Sequence, residues 1–397
     1  MKPVAISALT ATSCLGIGLE ATCATLKRRQ SGLRPCRFET AQLDTYIGQV
    51  GGIEEQALPK DLAHFDSRNN RLAMLALSQD EFLESVARAV VQYGAHRIGL
   101  FLGTSTSGIL EAEIAYRHRD PATGLLPEAF TYAATLDFFS VAAFLRELLA
   151  LRGPAAVVST ACSSSAKVFA MARRYINLGL IDAALVGGVD SLCLTTLYGF
   201  QSLQLISTQP CRPFDRHRDG LSIGEAAAFA LLEGNADPEA TSGIAVLGVG
   251  EASDAYHISA PHPEGEGARR AMLGALQDAG LEASAIDYIN LHGTGTPSND
   301  VAESKAVEAI FGSTIPCSST KGASGHTLGA AGALEIAISA LAIRDGFMPA
   351  GLHCAELDPN CRLNYLHDNA TAAPRLVLSN SFGFGGTNCS VLLGPMP

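Results

Sequence analysis

Short apolar runs that stop at glycine, serine, threonine or histidine alternate with segments of helical period along most of this chain. No other feature of the sequence narrows the fold as far. Ile98–Leu102, Ala155–Ser159, Ala183–Val186, Ile244–Val249, Tyr288–Leu291 and Val377–Leu378 read as strands. Apolar residues recur at helical spacing in Gln79–Tyr93, Phe138–Leu151, Ser165–Leu178, Ala268–Ala279, Val301–Phe311 and Gly332–Arg344. That alternation predicts an α/β protein whose strands are mostly parallel and buried. No low-complexity linker divides the 397 residues. The polar stretch Asn235–Gly243 is the best boundary, giving an N-terminal half, residues 1–243, and a C-terminal half, residues 244–397. A weak repeat lies on either side of it. Ile98-Gly-Leu-Phe-Leu-Gly-Thr-Ser-Thr106 parallels Tyr288-Ile-Asn-Leu-His-Gly-Thr-Gly-Thr296, and Val158-Ser-Thr-Ala-Cys162 parallels Ser318-Ser-Thr-Lys321. Two halves of similar plan with a site between them account for both.

Composition removes several classes of function. A net charge of −11, no tryptophan and 6% aromatic residues argue against a nucleic-acid partner. The 47% hydrophobic content against 17% charged residues leaves a large core and excludes a disordered chain. Ten cysteines without a CxxC pair are expected to be reduced thiols of a cytoplasmic protein, not zinc ligands or a disulfide framework. Asp137, Arg146 and Glu147 interrupt the most apolar helical stretch, so no membrane span is expected. The apolar start resembles a leader, yet Lys2 is its only base and Ser7, Thr10, Thr12 and Ser13 break it up. A strand and turn entering a helix near Leu19–Leu26 is the better reading.

Three clusters carry chemistry. In Val157-Val-Ser-Thr-Ala-Cys162-Ser-Ser-Ser-Ala166 a strand passes through small residues into a helix. Cys162 then sits near a helix N-terminus, whose free N–H groups should stabilise a thiolate. A buried structural thiol is the plainer reading for Cys14, Cys193 and Cys389; the elbow favours a nucleophile at Cys162. His292, in Asn290-Leu-His-Gly-Thr-Gly-Thr-Pro-Ser-Asn-Asp300, and His326, in Ser324-Gly-His-Thr-Leu-Gly329, lie on glycine-rich turns where a ligand can reach backbone. Neither has a second ligand at i+3 or i+4 for zinc, and Gly-Thr-Gly-Thr lacks the ending of a phosphate loop. In Ser379-Asn-Ser-Phe-Gly-Phe-Gly-Gly-Thr-Asn388, glycines flank Phe384, so its N–H could approach a reacting atom. A tight reversal of the chain explains those glycines equally well.

These motifs, in this order and over nearly the whole length, resemble the β-ketoacyl–acyl-carrier-protein synthases of the thiolase superfamily, in the elongating branch with a Cys-His-His site. Cys211-Arg-Pro-Phe-Asp215, Arg218-Asp-Gly220 and Lys321 belong to the same resemblance. It implies a pseudo-duplicated five-layer αβαβα sandwich, usually dimeric, either with an identical chain or with a related synthase-like one. It also implies decarboxylative condensation of malonyl-carrier with an acyl chain held on Cys162. His292 and His326 would stabilise the enolate, and Phe384 would supply an oxyanion N–H and a gate. Lys321 would share a polar network with Glu303, and Thr294 and Thr296 would hold the phosphopantetheine arm. That arm arrives on an acyl-carrier protein, so no other cofactor and no catalytic metal are expected. Carrier docking would fall to Arg68 and Arg71, or to Arg117 and Arg119.

Within the superfamily, thiolases carry a second cysteine where this chain has Phe-Gly-Phe-Gly-Gly, and initiating synthases an asparagine in place of His326. Chain-length-factor subunits lack the nucleophile, whereas Cys162 is present here, which favours a condensing enzyme; a non-catalytic or chain-length-factor-like partner subunit with an idle cysteine is the competing expectation. Gly220-Leu-Ser-Ile-Gly-Glu-Ala226 and the hydroxyl-rich turn 103–109 depart from the family pattern. Both point toward a secondary product, such as a polyene or aryl-polyene pigment, more than toward membrane lipid.

Overall fold

A computed structural model describes residues 1–235 and 243–396. Most of the expected Asn235–Gly243 boundary therefore lies outside the described residues. Val4–Ser13 forms a central strand, antiparallel to Ala226–Glu233 on one side and, through Val4 and Ala5, to Ile244–Ser253 on the other. Outward from Ala226–Glu233 come Ala183–Asp190, antiparallel, then Ile98–Gly103 and Ala155–Val158, both parallel. Outward from Ile244–Ser253 come Thr387–Pro395 and Val377–Gly383, both antiparallel, then Tyr288–Asn290, Pro316–Ser318 and Asn364–Tyr365, all parallel. The same sequence of pairings is thus laid down twice. The expectation of mostly parallel strands holds only for the outer part of each half.

Side-chain alternation sorts these strands into layers. Ile98, Leu100 and Leu102 point outward and share a core with Leu72, Phe82, Phe144 and Leu145. Those four come from the helices Arg68–Leu77, Phe82–Tyr93 and Ser140–Leu148. Phe101 and Val186 point the other way, onto Val168 and Phe169 of Ser164–Asn177 and Ile336 of Ala331–Asp345. Val391 and Leu393 of the second half close the far side of that same core. Helix Ala331–Asp345 is buried from Ala331 through Ala342, as befits a segment apolar on every face. The outermost layer, Glu266–Ala279 and Pro297–Phe311, packs on Ile289, Leu378 and Leu392. The αβαβα sandwich is complete.

Candidate active site

The first parallel edge strand ends at Val158, and helix Ser164–Asn177 begins within six residues of it. The connection is sharp because Ala161 takes a left-handed φ of 53°. A non-glycine residue there costs on the order of 1–3 kcal/mol and has to be held. Thr160 N–H donates to Ser164 Oγ (2.9 Å), and the hydroxyls of Ser163 and Thr387 both donate to Thr160 O (2.9 and 3.0 Å). Gly103 lets the helix come close: a Cβ there would lie 2.3 Å from Ser165 N. Cys162 sits just before the helix, 6% exposed.

His292 follows the strand Tyr288–Asn290, and its N–H and that of Gly293 both donate to Glu303 at 2.8 Å. His326 is stitched into the strand Ile223–Gly224, donating to Ser222 O (2.7 Å) and accepting from Gly224 N–H (2.9 Å). The two rings meet edge to face, centroids 5.2 Å apart. The Cys162 sulfur and one nitrogen of each ring all lie within 4.8 Å of one another.

Both imidazoles are held from behind. Lys321 Nζ approaches His292 Nδ1 at 3.3 Å, and Leu328 N–H donates to His326 Nδ1 at 3.1 Å. A ring whose Nδ1 accepts carries its proton on Nε2 and turns a donor toward the pocket. Burial and the Lys321 charge hold both histidines well below their ordinary pKa, so each is neutral. Cysteine and histidines are metal-ligand types, but a protonated Nε2 has no lone pair left for an ion.

The sulfur corrects one expectation. Burial pushes the Cys162 thiol up to about 11, although the Lys321 charge and the N–H groups of Phe384 and Cys162 pull the other way. The helix end does not yield a resting thiolate. A second correction concerns Lys321, whose ammonium reaches His292 O (2.6 Å) and the Glu335 carboxylate, not Glu303. Glu303 instead holds the two amides above and Asn380 Nδ2 (3.1 Å). Burial raises both carboxyls to about 7. Glu335 was legible as the one carboxylate in the buried stretch Ala331–Ala342 of its helix.

Thr294 and Thr296 line the same pocket as Cys162 and both histidines, a space of about 560 Å³ with its open mouth included. Their hydroxyls lie 2.8 Å apart. Phe384 lines the same pocket and stands against Phe200, ring centroids 5.7 Å apart. Gly385, at φ 78°, donates to Ile258 O (2.7 Å), and Asp254 N–H donates to Gly386 O (2.8 Å). Asn388 Nδ2 adds a bond to Asp254 (3.0 Å). Asp254 went unnoticed in the sequence, where nothing near it marks it as a partner of the motif that ends at Asn388, 134 residues away.

A profile described as "Beta-ketoacyl synthase, N-terminal domain" matches residues 1–237, and "Beta-ketoacyl synthase, C-terminal domain" matches residues 244–355. The chain belongs to the β-ketoacyl synthase family. Among curated relatives, a 3-oxoacyl-[acyl-carrier-protein] synthase 2 of Staphylococcus aureus (strain COL) is 30% identical over 98% of this chain and 97% of its own. A Rhizobium meliloti (strain 1021) protein of the same description is 39% identical over 74% and 73%. Among solved structures, a ketosynthase of Xenorhabdus doucetiae in complex with its chain length factor superposes with a TM-score of 0.89. It is 38% identical, and the match covers 99% of this chain and 98% of that one. The β-ketoacyl synthase described here is therefore a condensing enzyme of the acyltransferase type with the thiolase fold.

Of the four arginines considered for docking, the structure removes one. Arg68 is 3% exposed, its guanidinium bound to buried Glu225 (2.9 and 2.7 Å) and to Glu54. Sequence spacing put it on a helix start; its partner 157 residues away turned it inward. Arg71 pairs with Asp66 and Glu54, and Arg117 with Glu39. Arg119 is exposed and has no side-chain partner among the described residues. No helix among them is long and apolar enough to cross a membrane.

Proposed function

We propose that this synthase lengthens a fatty-acid or polyketide chain on an acyl-carrier protein, with Cys162 as the nucleophile. The Cys162 sulfur attacks the carrier thioester and its proton leaves with the phosphopantetheine thiol, while the N–H groups of Cys162 and Phe384 hold the oxyanion. Malonyl-carrier then loses CO₂, and the Nε2–H groups of His292 and His326 stabilise the enolate oxygen. The enolate carbon attacks the acyl group, and the departing Cys162 sulfur takes up a proton from solvent, the one proton the reaction consumes. Thr294 and Thr296 hold the pantetheine amides, Phe384 gates the pocket, and Lys321 with Glu335 orients His292. Glu303 holds the backbone of the His292 turn. The observation that carries this reading is two neutral imidazoles, each fixed from behind, facing one sulfur within 4.8 Å.

The test is single turnover of His292→Ala and His326→Ala. Acyl transfer to Cys162 should survive, while malonyl decarboxylation falls about 100- to 1000-fold. Loss of acyl transfer with decarboxylation intact would mean that the roles are assigned wrongly.

The division of labour follows two halves, residues 1–243 with Cys162 and residues 244–397 with both histidines. Arg119, together with Arg71 and Arg117, is proposed to meet the acidic carrier. Arg119→Glu should raise KM for carrier-bound substrate and leave a small pantetheine thioester untouched. A related synthase-like chain is proposed as the dimer partner, because solved ketosynthases seen with chain length factors superpose at a TM-score of 0.89. Purification with and without a coexpressed chain length factor, read by mass, decides between that and a homodimer. Ten free cysteines support a cytoplasmic setting.

A further inference from the structure

Asp190 ends the strand Ala183–Asp190 with its side chain fully buried. One carboxylate oxygen receives Thr104 Oγ1–H (2.7 Å), Ser105 N–H (2.8 Å), and both the N–H and the hydroxyl of Thr106 (2.9 Å each). The other receives Ser105 Oγ–H and Gly329 N–H, both at 2.5 Å. All of these donors are neutral. A buried carboxylate satisfied this fully is rigid, since losing any one donor leaves charge without compensation.

Gly329 N–H belongs to the turn that holds His326. The preceding amide, Leu328 N–H, is the one bonded to His326 Nδ1. Leu328 itself takes a left-handed φ of 53°, which an L-residue adopts only when its surroundings impose it. The other side of His326 is anchored to the same strand end. Gly224 N–H donates to His326 O, Glu225 follows Gly224, and Leu192 N–H donates to Glu225 at 2.9 Å. Asp190 and Leu192 are therefore tied to the His326 segment by two routes, one through Gly329 and one through Glu225 and Gly224.

We propose that Asp190 is a positioning residue for His326, and that the Gly329–Asp190 hydrogen bond sets where the imidazole donor points. The inference rests on the reading that His326 serves the condensation step. It predicts that weakening this bond damages condensation selectively, because acyl transfer uses the amides of Cys162 and Phe384.

Two single substitutions attack the bond from opposite ends. In Asp190→Asn the amide oxygen stays with the Thr104–Thr106 donors and the NH₂ is left facing Gly329 N–H, donor against donor. The Ser105 hydroxyl can rotate to accept instead, so the turn survives. In Gly329→Ala the added Cβ would lie 2.8 Å from Asp190 Oδ2 and 2.9 Å from Ser105 N, so the His326 turn must back away from the carboxylate and its cradle together. Each variant, with the double variant and His326→Ala beside them, is assayed for loading of Cys162 by mass spectrometry and for single-turnover condensation from the preloaded enzyme.

Condensation should fall roughly 10- to 100-fold in each single variant, the cost of a donor misplaced by about an ångström. Loading should stay within about threefold, and the double variant should be no slower than the worse single one. Loading and condensation falling together, condensation unchanged in Gly329→Ala, or losses that multiply in the double variant would overturn the proposal. Full condensation by His326→Ala would instead overturn the underlying reading of His326. Should Asp190→Asn fail to fold, Gly329→Ala alone still decides.

Discussion

The turn Gly103-Thr-Ser-Thr106 and the turn Gly293-Thr-Gly-Thr296 occupy the same place in the two halves, each following a parallel strand of the sheet. In both, buried carboxylates catch the backbone amides: Asp190 takes Ser105 and Thr106, while Glu303 and Asp300 take His292, Gly293, Thr294 and Gly295. The hydroxyls part company. In the first half Thr104 and Thr106 spend theirs on Asp190, whereas in the second the hydroxyls of Thr294 and Thr296 bond each other, Thr296 N–H also donates to Thr294 Oγ1 (3.2 Å), and both residues line the pocket. Just before the turns the faces differ as well: Leu102 points into the outer core, as Leu291 does in the second half, whereas His292 points inward to the sulfur. A duplicated scaffold supplied the same geometry twice, and the residues placed on it made one copy structural and the other chemical.

The exchange His292→Leu against Leu102→His puts that contrast to its harshest test. His292→Leu should cut condensation by about 100- to 1000-fold with a folded protein, checked by single turnover. Leu102→His should gain no activity and lose about 2–5 kcal/mol, read from the urea midpoint, for burying a polar ring without a partner. A comparable loss should follow Lys321→Met, about 3–5 kcal/mol, because it leaves Glu335 buried and alone. Adding Glu335→Gln should recover the midpoint but not condensation. If condensation returns as well, Lys321 serves only the fold.

Smaller effects separate the two turns themselves. Thr104→Val removes a donor from a buried carboxylate and should cost about 1–3 kcal/mol without moving KM. Thr296→Val should do the reverse, raising KM for carrier-bound substrate about fivefold, one hydrogen bond's worth, at an unchanged melting temperature. The smallest effect is on acid stability. An unfolded histidine takes a proton below about pH 6.5, which the buried His292 refuses, so stability is present above that pH and lost as pH falls. His292→Leu should flatten this limb by up to about 1.4 kcal/mol per pH unit between pH 6.5 and 5.5.

Much of this arrangement could be read in advance. Strand ends marked by glycine and hydroxyl residues located Cys162, His292 and His326, because a strand-to-helix elbow leaves its signature locally. The repeat located the two turns. What failed to show was whatever depends on distant partners. Ala226–Glu233, alanine-rich and absent from the strands read in the sequence, is a strand held between two others. Arg68 looked like a surface base until Glu225 drew it in. Glu303 and Glu335 are both carboxylates on helices near His292, and only the fold shows which one meets Lys321.

The raised pKa of Cys162 has a consequence for the enzyme between turnovers. Peroxides and small electrophiles attack thiolate far faster than thiol, and a sulfur ionising near 11 behind Phe384 offers them little of it. An idle enzyme molecule is thereby shielded from oxidative damage until an acyl chain arrives. Its reactivity toward iodoacetamide should climb about tenfold per pH unit from pH 7 to 10, with no plateau near neutrality. Durability and reactivity are separated in time, by whether the pocket is empty or occupied.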